Sequence, residues 1–174
     1  MLITTGRPAT IAPHAMVVSP HALASEAGVE ILKAGGHAVD AAIATSAALS
    51  VLYPHMTGVG GDAFWLIHDG ATGEVSYLNA AGEAAASASI DWFRANGHET
   101  VPLRGVLPAT LTVPGAVDGW CMAHERFGRL PLGRALVAAR DYARDGFPVT
   151  RRLAHRIAAC AAEGVFNAAA AQIF

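Results

Sequence analysis

Large side chains, charge and cysteine are all scarce in this 174-residue chain. Phe, Trp and Tyr together supply 7% of the positions although 53% are apolar, so the core has few bulky anchors. About a fifth of the residues are alanine, and each buries far less area than a Leu or Phe would, at ~25 cal/mol per Å². Such a composition predicts closely packed helices against a sheet, in a domain that is marginal by itself. Positive charge is not in excess: 12 Lys plus Arg face 14 Asp plus Glu, a formal net charge of −2. Neither nucleic acid nor an anionic membrane is therefore an expected partner. Only Cys121 and Cys160 are present. They stand far apart in predicted helices without metal-ligand spacing, and read as small core residues. The longest small-apolar run, residues 41–52, is too short and too rich in Ala, Ser and Thr to span a bilayer. Residues 1–7 lack the positive start and long apolar stretch of a signal peptide. The chain reads as soluble and cytoplasmic.

What is present is a succession of strong helix and turn signals. Met16, Val17 and Val18 form a short β-type segment, and Ser19-Pro20 predicts an N-cap followed by proline at the first helical position. The helix would cover residues 20–34, with Ala24, Ala27, Ile31 and Ala34 as its packing stripe. Gly35-Gly36 ends it, and residues 38–52 read as a second, almost wholly buried helix with Asp40 at its dipole-favoured start. A glycine-rich loop, residues 55–62, feeds a buried strand over residues 63–68. The turn at residues 69–73 returns the chain into a second strand over 74–78, with Val75, Tyr77 and Asn79 on one face by alternation. Ser89 caps a short helix through Trp92 and Phe93, residues 98–112 read as a surface connection, and residues 114–127, 131–144 and 150–163 read as helices. Arg140, Arg144, Arg151, Arg152 and Arg156 interleave with Asp141 and Asp145, the pattern of solvated helix faces with local ion pairs. No repeat or composition break divides residues 1–174, which read as one unit.

Several chemistries are disfavoured by context. Gly58-Val59-Gly60-Gly61 follows a helix and opens a strand, the reverse of a phosphate-binding loop, which follows a strand and presents a helix N-terminus. His55, Asp62 and His68 match no metal-ligand spacing. His124 and His155 read as helix-surface or satisfied core residues, and there is no Gly-x-Ser-x-Gly elbow.

Longer motifs carry a family resemblance. Val17-Val18-Ser19-Pro20-His21, then Ala34-Gly35-Gly36-His37-Ala38-Val39-Asp40-Ala41-Ala42, are followed by Pro54-His55-Met56-Thr57-Gly58-Val59-Gly60-Gly61-Asp62-Ala63-Phe64. Val113-Pro114-Gly115-Ala116-Val117, Gly128-Arg129-Leu130-Pro131-Leu132 and Ala143-Arg144-Asp145-Gly146-Phe147-Pro148-Val149 continue the series. In this order the motifs resemble the amino-terminal part of the large subunit of the gamma-glutamyltransferase family. That resemblance implies an α+β chain, a helix-rich piece with a β-hairpin, belonging to the four-layer αββα fold of N-terminal nucleophile hydrolases. Family members are precursors that cleave themselves to free a threonine. Its hydroxyl attacks an amide carbonyl with its own α-amino group as base, and no cofactor is required. The partners implied are the remainder of the large subunit, the small subunit that carries the nucleophile, and a small amide or gamma-glutamyl substrate.

Two departures qualify the resemblance. The Thr-Thr-His or Thr-Ser-His segment that begins the family's small subunit does not occur; Thr4-Thr5 precedes Gly6-Arg7-Pro8, and Thr45-Ser46 lies within a predicted helix. No catalytic residue is assigned, and the chain alone is expected to be inactive. The arginine with which gamma-glutamyl enzymes grip the substrate α-carboxylate is also missing. In Leu78-Asn79-Ala80-Ala81-Gly82-Glu83-Ala84-Ala85 its place falls on Ala81 or, against the pattern of a divergent amidohydrolase and acylase branch, on Glu83. Asp62 also matches that branch. Glu83, Asn79 and Asp62 are the candidate substrate-lining residues, and for each a loop residue bonding nearby backbone is an equal reading. The expected function is part of an amidohydrolase, and the alternative is a non-catalytic scaffold or small-molecule-binding domain that retains the family shell.

Overall fold

The computed structural model describes residues 9–103 and 105–173, so the Thr4-Thr5 alternative and Phe174 lie outside the described residues. Helix α1 (Ala22–Lys33) and helix α2 (Ala38–Leu52) form a hairpin around the left-handed Gly35. Helix α1 starts later than the Ser19-Pro20 signal predicts. Its N-cap is His21, while the Ser19 hydroxyl donates to the His21 carbonyl at 2.9 Å and meets the Ser25 hydroxyl at 2.8 Å. Ser19 thus folds a turn ahead of the helix instead of capping it. Ala24, Ala27 and Ile31 are buried as the stripe requires, whereas Ala34 is the exposed C-cap.

Helix α2 is buried along both flanks, from Val39 to Leu52, and is contacted by α1 and three later helices. Its start is a capping box. The His37 ring accepts from Val39 N–H, and the Asp40 carboxylate accepts from His37 N–H. Asp40 is 1% exposed because it does more than face the helix dipole: it also accepts from the amides of Arg129 and Leu130, at 3.1 to 3.4 Å. One carboxylate therefore joins the second helix to a turn about half the chain away.

Strands β1 (Ala63–His68) and β2 (Val75–Ala80) pair antiparallel, with Ala63 opposite Ala80 and His68 opposite Val75. The second strand runs two residues beyond its expected end, because Asn79 and Ala80 stay paired to Phe64 and Ala63. Trp65, Ile67, Leu78 and Ala80 face inward, while Phe64, Leu66, Val75 and Tyr77 are 62%, 78%, 58% and 58% exposed, so β1 is covered on one face only and is not the buried strand that its apolar run predicts. Val75, Tyr77 and Asn79 share a face, as alternation predicts, and it is the open one. Met16 to Val18 form no strand and pair with none among the described residues.

Ser89 caps α3 (Ile90–Ala95) through Trp92 N–H, as expected. The connection that follows contains a short helix, α4 (Leu107–Thr110), which uses Pro108 in its first turn. Helix α5 (Ala116–Phe127) lies on both strands of the β-hairpin and on α2. The expected helix over 131–144 is divided at Leu136 into α6 (Leu132–Ala135) and α7 (Val137–Asp145), so the apolar rhythm continues across a break in the helix. Helix α8 (Arg151–Ala162) is capped by Thr150, and α9 (Ala170–Ile173) follows. Arg140 and Arg144 pair with Asp141 and Asp145 as the interleaving predicts. Both cysteines are free and half-buried, Cys121 in α5 and Cys160 in α8.

The core joins Ile31, Ile43, Leu78 and Trp120 through a bed of alanines from α2, α5, α6 and α7. Among the described residues the chain is helix-rich with one two-stranded hairpin, an α+β arrangement. Among the described residues no helix is long and apolar enough to cross a membrane.

Candidate functional site

Three segments distant in sequence meet beside the open end of the β-hairpin: the glycine-rich loop before β1, the strand exit at 80–84, and residues 111–115 before α5. The carbonyl of Gly61 accepts from the amides of Gly115 and Ala116 at 3.0 and 2.8 Å. Helix α5 has no side-chain cap, and this carbonyl serves amides that its first turn leaves without helical partners. Val113 N–H donates to the Glu83 carbonyl at 2.9 Å, and Ala84 and Thr112 form an isolated antiparallel bridge.

Glycine makes the crossing possible. A Cβ on Gly82 would overlap the Val113 carbonyl, and one on Gly115 would overlap the Ala80 carbonyl. At these two positions the backbones touch where any other residue would place a side chain.

The three candidate side chains fall on this junction. Asp62 Oδ1 accepts from Gly82 N–H at 3.1 Å and from the Thr112 hydroxyl at 2.9 Å, spanning sequence separations of 20 and 50 residues. Asn79 Oδ1 accepts from Ala81 N–H at 3.0 Å and so turns the chain as it leaves β2. The Glu83 side chain is exposed, and among the described residues no hydrogen bond or ion pair reaches its carboxylate. Asp62 and Asn79 thus have backbone partners, whereas Glu83 has its main chain fixed and its acid open to solvent. Thr112, Val113 and the close approaches of Gly82 to Val113 and of Gly115 to Ala80 are not visible as site elements in the sequence, where the two glycines are the only signal and spacing cannot match them to their partners.

Other candidate groups are held elsewhere. Thr45 is buried in α2, with its hydroxyl donating to the Ala41 carbonyl at 2.8 Å, and the Ser46 hydroxyl accepts from Trp120 Nε1 at 3.2 Å. His124 Nε2 lies 2.7 Å from the Leu130 carbonyl, a satisfied helix histidine, and His155 is exposed. The His55 ring lies 4.2 Å from that of Tyr53, tilted by 57°, while His68 ends β1. Among the described residues no group of His, Cys, Asp and Glu is gathered that could hold a metal ion.

A family model for gamma-glutamyltranspeptidase matches residues 24–174. A glutathione hydrolase-like YwrD proenzyme of Bacillus subtilis is 50% identical over 135 residues, 78% of this chain and 25% of that protein. An oxamate amidohydrolase proenzyme of Klebsiella pneumoniae is 42% identical over 153 residues, 85% of this chain and 28% of that protein. Among solved structures, cephalosporin acylase from Bacillus halodurans superposes with a TM-score of 0.79 at 36% identity, covering 96% of this chain and 32% of that one. Helicobacter pylori gamma-glutamyltranspeptidase gives 0.78 at 29% identity, covering 88% and 44%. The chain spans about a quarter of the length of these curated relatives and under half of these solved chains. From the matched family model and the shared fold, the chain belongs to the gamma-glutamyltranspeptidase family.

Proposed function

We propose that residues 1–174 form one structural unit, the amino-terminal part of the large subunit of an amidohydrolase or acylase, whose threonine nucleophile comes from a segment outside these residues. The open hairpin face is the observation that carries this reading: Phe64, Leu66, Val75 and Tyr77 are all more than half exposed on a two-stranded sheet. A sheet with one apolar face against helices and the other bare lacks a layer. The coverage of roughly a quarter of each curated relative agrees with a larger protein that supplies it.

In this reading the junction of 61–62, 79–84 and 112–116 forms one wall of the substrate cavity, and Asp62, Asn79 and Glu83 belong to that wall. The electrophile is an amide carbonyl, and the attacking hydroxyl and the oxyanion donors lie on the missing layer. Ala81 aligns with the arginine of gamma-glutamyl enzymes, and Glu83 with that of the divergent amidohydrolase and acylase branch. An acid there repels a substrate carboxylate by about 1 to 4 kcal/mol at close range, depending on the local dielectric. The wall therefore favours acyl groups that lack a carboxylate at this point.

The test is expression of the complete reading frame. Mass spectrometry should find self-cleavage into two chains, and the processed protein should hydrolyse a small amide, while the 174-residue chain alone leaves gamma-glutamyl anilide intact. In the processed protein Glu83→Arg should raise turnover of gamma-glutamyl anilide by about tenfold if the acid faces the substrate. A complete frame that neither cleaves itself nor turns over any amide would instead make this a scaffold with the family shell.

A further inference from the structure

Of the acids at the junction, Asp62 is the one whose oxygen is already occupied. We propose that Asp62 is the positioning residue of this wall: it sets the backbone that presents Glu83, and does not itself contact substrate. The proposal rests on the reading of 79–84 as substrate-lining. Gly82 N–H donates to Asp62 Oδ1, and Gly82 sits between Ala81 and Glu83, the two positions that occupy the missing arginine's place. Thr112 Oγ1 donates to the same oxygen from the opposite side of the crossing. The Glu83 carbonyl is then held from that side by Val113 N–H.

Each of these bonds fixes a different degree of freedom. Val113 fixes the plane of the Glu83–Ala84 peptide, and Asp62 fixes that of the Ala81–Gly82 peptide, so the two bonds bracket Glu83. The close approach at Gly82 leaves the strand exit no room to move toward residues 112–115. In its place Asp62 reaches across from the glycine-rich loop, whose Gly61 carbonyl is itself tied to the start of α5. The carboxylate therefore couples loop, strand exit and helix start into one unit. The side chain is exposed, so charge-assisted bonds to it are worth less than in a buried site; what they supply is orientation.

The role separates cleanly from substrate contact because it needs an acceptor atom, not a charge. An Asn at 62 keeps Oδ1 with two lone pairs for the same two donors; an Ala keeps neither. The experiment compares Asp62→Asn, Asp62→Ala and Thr112→Val in the complete processed protein. Two readouts are taken: steady-state hydrolysis of gamma-glutamyl and butyryl para-nitroanilides, and amide hydrogen exchange at Gly82. Asp62→Ala should raise KM by about fivefold with kcat nearly unchanged, and speed exchange at Gly82 by about tenfold with α2 and α5 unaffected. Thr112→Val should fall between, and Asp62→Asn should retain both values within about twofold.

A rise in KM in Asp62→Asn equal to that in Asp62→Ala would overturn the proposal, because the charge and not the acceptor would then be at work. So would an Asp62→Ala protein with unaltered Gly82 exchange, or one in which exchange rises throughout the hairpin and α5, the sign of a general structural role. If the wild-type protein hydrolyses neither anilide, the proposed function fails for those substrates, and the exchange of Gly82 still decides whether Asp62 holds the strand exit.

Discussion

Asp40 shows how much one side chain can hold in a core made of small residues. Its carboxylate, 1% exposed, accepts from the amides of His37, Arg129 and Leu130, and each would otherwise lack a partner at a helix start or a tight turn. Removing the acceptor strands buried donors, each costing about 1–3 kcal/mol. Asp40→Ala should therefore lower stability by about 3 kcal/mol or more, read from the urea midpoint at unchanged m-value. A change below about 1 kcal/mol would show that water replaces the carboxylate. The sequence placed Asp40 correctly at the first turn of a helix, from its position after Gly36 and His37. Its second set of partners lies 89 residues away, and nothing local at Arg129 announces an acceptor, since the donors are backbone amides. The same holds at the junction: Asp62 was legible as a candidate, and its partners Gly82 and Thr112 were not.

At the scale of elements, β1, α2 and α5 lie where their local chemistry puts them, and the departures arise where two signals compete. The aromatic and branched run Phe64-Trp65-Leu66-Ile67 alternates in burial, as a strand with one covered face should. Ser19-Pro20 has the composition of a helix start, but the Ser19 hydroxyl is used on His21 and Ser25, and the helix begins two residues later. The rhythm over 131–144 survives the break at Leu136 because burial, not helix continuity, sets it. The turn between the strands has its own pH response. Asp69 accepts from the amides of Ala71 and Thr72, which hold its carboxyl below the usual carboxylate value. A lowered folded value means stability that is present above the unfolded pKa and lost as pH falls through the folded one. In an NMR titration the Ala71 and Thr72 amide shifts should change with a midpoint below that of an unstructured Asp peptide, and Asp69→Asn should abolish the transition. A midpoint at or above the peptide's value would mean that the turn does not hold the carboxylate.

For the whole molecule the deciding feature is the imbalance between the two hairpin faces. Inward, Trp65, Ile67 and Leu78 pack into the core beneath α5; outward, four large apolar side chains meet solvent. Contiguous apolar patches of this kind mark interaction surfaces. The isolated chain should therefore self-associate at micromolar concentration and bind a hydrophobic dye. The double change Leu66→Ser and Tyr77→Ser should reduce both in sedimentation and fluorescence measurements without altering helix content. Self-association that persists unchanged would place the sticky surface elsewhere. This imbalance was only half legible. Alternation put Val75, Tyr77 and Asn79 on one face, but the sequence could not say which face the helices cover, because both are apolar. Alanine wealth pointed to tight helix packing, and that packing is where the core lies.

The bond between Asp40 and the turn at 129–130 also orders events in time. On the ribosome the carboxylate emerges long before the amides that complete its shell, and until then it can serve only the start of its own helix. Closing a loop of that length costs conformational entropy that no local contact returns. The α1–α2 pair can therefore assemble before the turn after α5 has emerged, and that turn, once made, completes the set of donors around Asp40.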